Sequence, residues 1–249
     1  TQSHQGLTMT IQTQTLSYCA GGIDMVGYFA QASDTPPSPG VLVLPEWWGL
    51  NDYIRRRTED IARLGYSALG VDLYGAGKAV GHPDEAGPLM NEVLENMEAG
   101  TLRLQAALAA LIDQPGVDPS RLAAIGFCFG GAMALHLARI GTGLSGVVSF
   151  HGALDSFHEP TPGSIKARIL VCHGDADEFI PKESIQVFHG EMKSAGADYE
   201  FISYPGALHG FTSPEADENG RKYGLPLAYN ESADKESWQA MIRLFTELF

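Results

Sequence analysis

Residues 121–140 read RLAAIGFCFGGAMALHLARI. The first seven form a near-continuous apolar run, the pattern of a strand buried on both faces. GGAMALHLARI is rich in strong helix formers and predicts a helix over about 130–140. Between them lies Gly126-Phe127-Cys128-Phe129-Gly130, followed by Gly131, which fits G-x-[S/C]-x-G in the strand–turn–helix context that this motif needs. On so sharp a turn the neighbours two residues away must be small, because a Cβ at Gly126 or Gly130 would collide with the adjacent strand or helix. The turn lifts the Cys128 sulfur out of the sheet and sets it at a helix N-terminus, whose dipole favours a thiolate. The Phe129 N–H then becomes a candidate oxyanion-hole donor. The glycines do not form GxGxxG or GxxxxGK[ST], so a nucleotide-binding loop is not indicated. Taken bare, G-x-C-x-G also describes a structural cysteine beside a glycine turn, so its partners must decide.

On both sides of this segment short apolar runs alternate with helical stretches, the pattern of repeated βαβ units. Strands are expected at 8–18 and 23–30, around the turn Ala20-Gly21-Gly22, then from Gly40 (GVLVLPEWW), at YSALGVDLYG, LSGVVSFHG and ARILVCHGDAD, and at 198–204. Helices are expected at about 51–64, 88–113, 181–195 and 233–249, with irregular chain at 31–39, 75–88 and 212–231. The fold class is α/β: a mostly parallel, twisted sheet with helices on both faces, a three-layer α/β/α sandwich. No linker separates two cores, so residues 1–249 are read as one domain. Met9 is a plausible native start, with residues 1–8 a tag remnant or a loose arm.

Composition closes off other classes. The net charge is −14, and no Lys/Arg-rich run is present, which disfavours nucleic acid and anionic membranes as partners. No apolar stretch approaches the roughly 18 residues of a membrane span, and the N-terminus has no secretory pattern. Cys19, Cys128 and Cys172 are odd in number and lack CxxC spacing. Neither a disulfide framework nor a zinc ribbon is expected, and the cytoplasm is the expected compartment.

A nucleophile needs a base, and the base needs an orienting group. LVCHGDAD (170–177) ends a buried strand in a loop that carries Asp175 and Asp177, and YPGALHGF (204–211) places His209 in a loop after a strand. Histidine suits the task because its pKa lies near working pH. Either aspartate could face it while the other caps the turn. His173 reads as structural, hydrogen-bonded within its loop, and His151 as a loop hydrogen-bonder or a pocket wall. The other histidines, at 4, 82, 136, 158 and 189, show no HExxH spacing, so neither a metal nor another cofactor is expected. Glu46 ends a buried strand before Trp47 and Trp48, and a desolvated carboxylate there should titrate high.

The order nucleophile, acid, histidine is that of the α/β-hydrolase fold. LPEWWGLND, GYSALGVDLYG, IGFCFGG, HGDADEFIP and PGALHGF together resemble the dienelactone hydrolase (carboxymethylenebutenolidase) family of that fold, from about residue 41 to 211. The cysteine in GFCFGG is the most specific piece, since most α/β hydrolases carry serine there. The resemblance implies a triad of Cys128, Asp177 and His209. It also implies that Glu46 controls the thiol's protonation and that Trp47 supplies the second oxyanion N–H. The family's better-known branch holds a substrate carboxylate with arginines, one soon after the histidine. Here Gly210-Phe211-Thr212-Ser213-Pro214 has none, so an anionic lactone lacks its partner. The placement of Arg103, Arg221 and Lys222 relative to the pocket stays open.

The expected activity is hydrolysis of a small carboxylic ester or lactone through a thioester on Cys128. A non-catalytic ligand-binding relative and a redox-sensing thiol protein are the competing readings. The first does not need all three groups, and the second lacks a resolving cysteine near Cys128 in sequence.

Overall fold

The computed structural model describes residues 9–33 and 37–249. The expectation for residues 1–8 lies outside them. Eight strands form one sheet: β1 (Ile11–Ala20), β2 (Ile23–Ala32), β3 (Ser38–Leu44), β4 (Ser67–Gly70), β5 (Val117–Phe127), β6 (Gly146–Phe150), β7 (Arg168–Gly174) and β8 (Tyr199–Tyr204). Their order is β1-β2-β4-β3-β5-β6-β7-β8. The opening hairpin joins β4 antiparallel, and every later pairing is parallel.

Period-two side-chain alternation divides the strands between two apolar clusters. Leu42, Leu44, Ala124, Val147, Ile169 and Val171 face one side. There they meet α3 (Met97–Ile112), α4 (Phe129–Arg139) and α5 (Lys182–Ala195). Val41, Val43, Ala123, Ile125, Val148 and Leu170 face the other, beneath α1 (Asp52–Arg63) and α7 (Glu231–Leu248). The continuous apolar runs of the sequence follow from this two-sided burial. No helix among the described residues is long and apolar enough to cross a membrane.

Three departures from the sequence reading have local causes. The helix expected at 88–113 is two helices, α2 (Pro83–Glu95) and α3, which break at Asn96. Asn96 leaves helical geometry at φ −134° and accepts a hydrogen bond from the Ala99 N–H, so it caps α3. Part of the expected 75–88 loop is therefore the first turn of α2, capped by His82 Nδ1, which accepts from the Asp84 N–H at 3.1 Å. The irregular 212–231 stretch contains α6 (Ala216–Tyr223), which ends at Gly224 with φ 64°.

Candidate active site

The carboxyl ends of the parallel strands bring the singled-out residues to one edge of the sheet, where α/β folds place their ligands. Glu46 follows β3, Cys128 follows β5, His151 follows β6, Asp177 follows β7 and His209 follows β8.

Cys128 has φ 55° and ψ −118°, a strained conformation for a residue with a side chain. Its backbone is pinned on both sides: its N–H donates to the Phe150 carbonyl at 3.0 Å, and its carbonyl accepts from the Gly131 N–H at 2.9 Å. A Cβ at Gly126 would overlap the Gly130 carbonyl, and one at Gly130 would overlap that of Leu44. Both glycines are thus required by the packing of β5, α4 and β3, as the motif predicts. The thiol is half-buried and faces a cavity of about 230 Å³.

His209 Nε2 lies 3.0 Å from Cys128 Sγ, and His209 Nδ1 lies 2.8 Å from Asp177 Oδ2. The Asp177 side chain is fully buried, and its Oδ1 accepts from the Phe179 N–H at 2.9 Å. Asp175 is exposed, so of the two aspartates it is Asp177 that meets the histidine. A carboxylate only accepts, so Nδ1 carries a proton and Nε2 is free to exchange one with sulfur. Burial opposes a charged His209, but the adjacent Cys128 sulfur and Asp177 outweigh it and raise its pKa well above the ordinary value.

Glu46 lines the same cavity, 7% exposed. Burial pushes its carboxyl up to about 7, which His209 and Arg57 counter and Glu215 reinforces. Trp47 and Trp48 both line the cavity, their rings 5.1 Å apart. The backbone N–H groups of Trp47 and Phe129 donate to no partner among the described residues. Tyr74 links these two residues. Its hydroxyl donates to the Trp47 carbonyl at 2.7 Å, and its ring stacks on Phe129 at 12°. Nothing in DLYG marks Tyr74 for that place.

His151 is fully buried and lies behind His209, off the pocket wall, with ring centroids 5.4 Å apart. Its Nε2 pairs with Thr212 Oγ1 at 2.8 Å, and Thr212 Oγ1 pairs with the Tyr53 hydroxyl at 2.6 Å. Arg57 Nε donates to that hydroxyl at 3.3 Å, so the chain ties the His209 loop to α1. Burial, with the nearby His209 and Arg57, holds His151 well below the usual histidine range, so it stays neutral beside His209. His173 departs from expectation. It lies on β7 itself against Phe201, and its Nδ1 has no hydrogen-bond partner among the described residues. Burial accordingly lowers its pKa.

The cations left open by the sequence lie off the cavity wall. Arg103 donates from Nη1 to the Leu73 carbonyl at 2.7 Å, and Arg221 and Lys222 are exposed on α6.

Known proteins share this architecture. The profile of the dienelactone hydrolase family spans residues 25–249. The solved structure of m3DLH is 39% identical and has a TM-score of 0.90, covering 96% of this chain and 99% of that one. A dienelactone hydrolase-like promiscuous phosphotriesterase, P91, from metagenomic libraries is 35% identical with a TM-score of 0.88, again over 96% of this chain and 99% of that one. A Caenorhabditis elegans protein, K02A2.1, is 39% identical over 153 residues, 59% of this chain and 92% of its own length.

Proposed function

Because the chain belongs to the dienelactone hydrolase family, a family of hydrolases, we propose that it cleaves a carboxylic ester or lactone through Cys128, His209 and Asp177. The observation that carries this reading is the in-line contact of sulfur, imidazole and carboxylate at 3.0 and 2.8 Å, opening on a cavity. His209 Nε2 takes the Cys128 proton, and sulfur bonds to the carbonyl carbon. The free N–H groups of Phe129 and Trp47 donate to the developing oxyanion, worth roughly 3 kcal/mol per donor. Collapse breaks the bond to the alcohol oxygen, which leaves with the proton from His209. Water then attacks the thioester, and His209 takes its proton and returns it to sulfur as the carboxylic acid departs. Asp177 holds the ring in one tautomer throughout. A nucleophilic thiol must stay reduced, which suits the cytoplasm.

Intact-mass spectrometry during turnover of a small ester tests this reading. The expected result is an acyl adduct on Cys128 that water clears. A ligand complex with an unmodified thiol would favour a binding protein instead. Sulfenic acid or a mixed disulfide would favour redox sensing; Cys172, buried and pushed up to about 12 by that burial, is a poor resolving thiol.

Glu46 has a separate role in the proposal: its charge governs the thiol. Its carboxyl titrates near 7 against an ordinary 4.5. Between those values the folded protein holds a proton that the unfolded chain releases, so stability falls as pH rises through that window. Glu46→Gln removes the penalty. Relative to wild type, the variant should gain about 3 kcal/mol between pH 4 and pH 8. Its thiol-alkylation rate should also lose an inflection near pH 7. An unaltered alkylation profile would count against the role.

A further inference from the structure

Apart from Cys128 and His209, the ionisable side chains on the cavity wall are two carboxylates, Glu46 and Asp155. Among the described residues no Lys or Arg lines it. Most of the rest is apolar, including Trp47, Met90, Leu94, Phe157, Phe179 and Leu227. The nearby cations are engaged elsewhere. Arg139 is buried behind the wall, donating to Glu191 and to the carbonyls of Leu154 and Asp155, and so holds in place the loop that presents Asp155. Arg57 pairs with Asp234, and Arg103 with the Leu73 carbonyl. Arg221 and Lys222 are exposed on α6 and do not line the cavity, which Ala216 and Asn219 of the same helix do.

We propose that this site selects uncharged esters or lactones with an apolar arm and turns away substrates that bear a carboxylate, with exposed Asp155 and buried Glu46 as the selecting charges. The inference rests on the hydrolase reading above. An anionic arm entering a cavity of about 230 Å³ would lose water, meet no Lys or Arg, and face Asp155 together with Glu46, which is ionised above about pH 7. An alkyl or aryl arm would bury apolar surface there. The protein's net charge of −14 adds long-range repulsion of anions.

The test compares 4-nitrophenyl hexanoate with the half-ester 4-nitrophenyl adipate, which differ by a terminal methyl against a carboxylate. Wild-type kcat/KM should favour hexanoate by about 100-fold or more, the scale of an uncompensated buried charge. Added salt should narrow the gap by screening. Asp155→Asn should narrow it several-fold, and Asn219→Arg, which offers the missing cation, by about tenfold. Equal rates, or a preference for adipate, would overturn the proposal while leaving hydrolysis intact. Turnover of neither ester, with no acyl adduct on Cys128, would overturn the hydrolase reading and this proposal with it.

Discussion

Cys128→Ala should lower ester turnover by about 10⁴-fold or more without unfolding the protein, because what remains after loss of a nucleophile is the oxyanion site and binding alone. The fold should tolerate the change. Alanine keeps the Cβ, the sulfur is only half-buried, and the turn is held by backbone bonds to Phe150 and Gly131 that do not involve the side chain. Cys128→Gly sharpens the test. At φ 55° and ψ −118° a side chain costs about 1–3 kcal/mol of backbone strain, which glycine relieves. That variant should be equally inactive yet melt at or above the wild-type temperature. Thermal melts beside steady-state rates decide the matter. Retained turnover in either variant would remove Cys128 from the chemistry, and a large fall in melting temperature on Cys128→Gly would make the cysteine structural.

Such strain is legible in sequence because a chain must be written around it. Gly126 and Gly130 flank Cys128 since nothing larger fits against Gly130 and Leu44, and that local necessity leaves a local motif. The strand runs are legible for a similar reason, since burial on both faces writes apolar residues at every position. The break at Asn96 is not. Asparagine within LENMEAGTLRL reads equally as a helix interior or as a cap, and tertiary packing chooses. Helix α6 is polar almost throughout and buries only Ala216 and Gly220, so no periodic stripe announces it. The support behind His209 is the least legible part. Tyr53 and Thr212 are 159 residues apart, and Thr212 and His151 are 61 apart, so only the folded sheet edge brings them together. Asp175 and Asp177 stand between these extremes. The loop shows that a carboxylate is available, and which one turns inward depends on how the chain leaves β7 after Gly174.

Asp177→Asn should therefore cost about 10³-fold in kcat/KM, and Asp175→Asn should leave activity within about twofold of wild type. Asparagine can still accept the Phe179 N–H through its carbonyl, so the loop keeps its shape. Its amide then points at His209 Nδ1 as a donor where the carboxylate accepted. The imidazole must switch tautomer, leaving Nε2 protonated and unable to take the thiol proton across the 3.0 Å contact. The loss should be smaller than for a serine nucleophile, since a thiol ionises more readily than a hydroxyl. The pH dependence carries a sign. Asp177 is one of the groups that raise the His209 pKa against burial, so without it the imidazolium gives up its proton at lower pH. Any thiolate held as an ion pair with that imidazolium loses its partner at the same point, so the pH profile of Cys128 alkylation must move in Asp177→Asn and stay put in Asp175→Asn. A loss confined to Asp175→Asn, or an unmoved profile in Asp177→Asn, would mean that the buried carboxylate beside His209 shapes the loop without directing the proton.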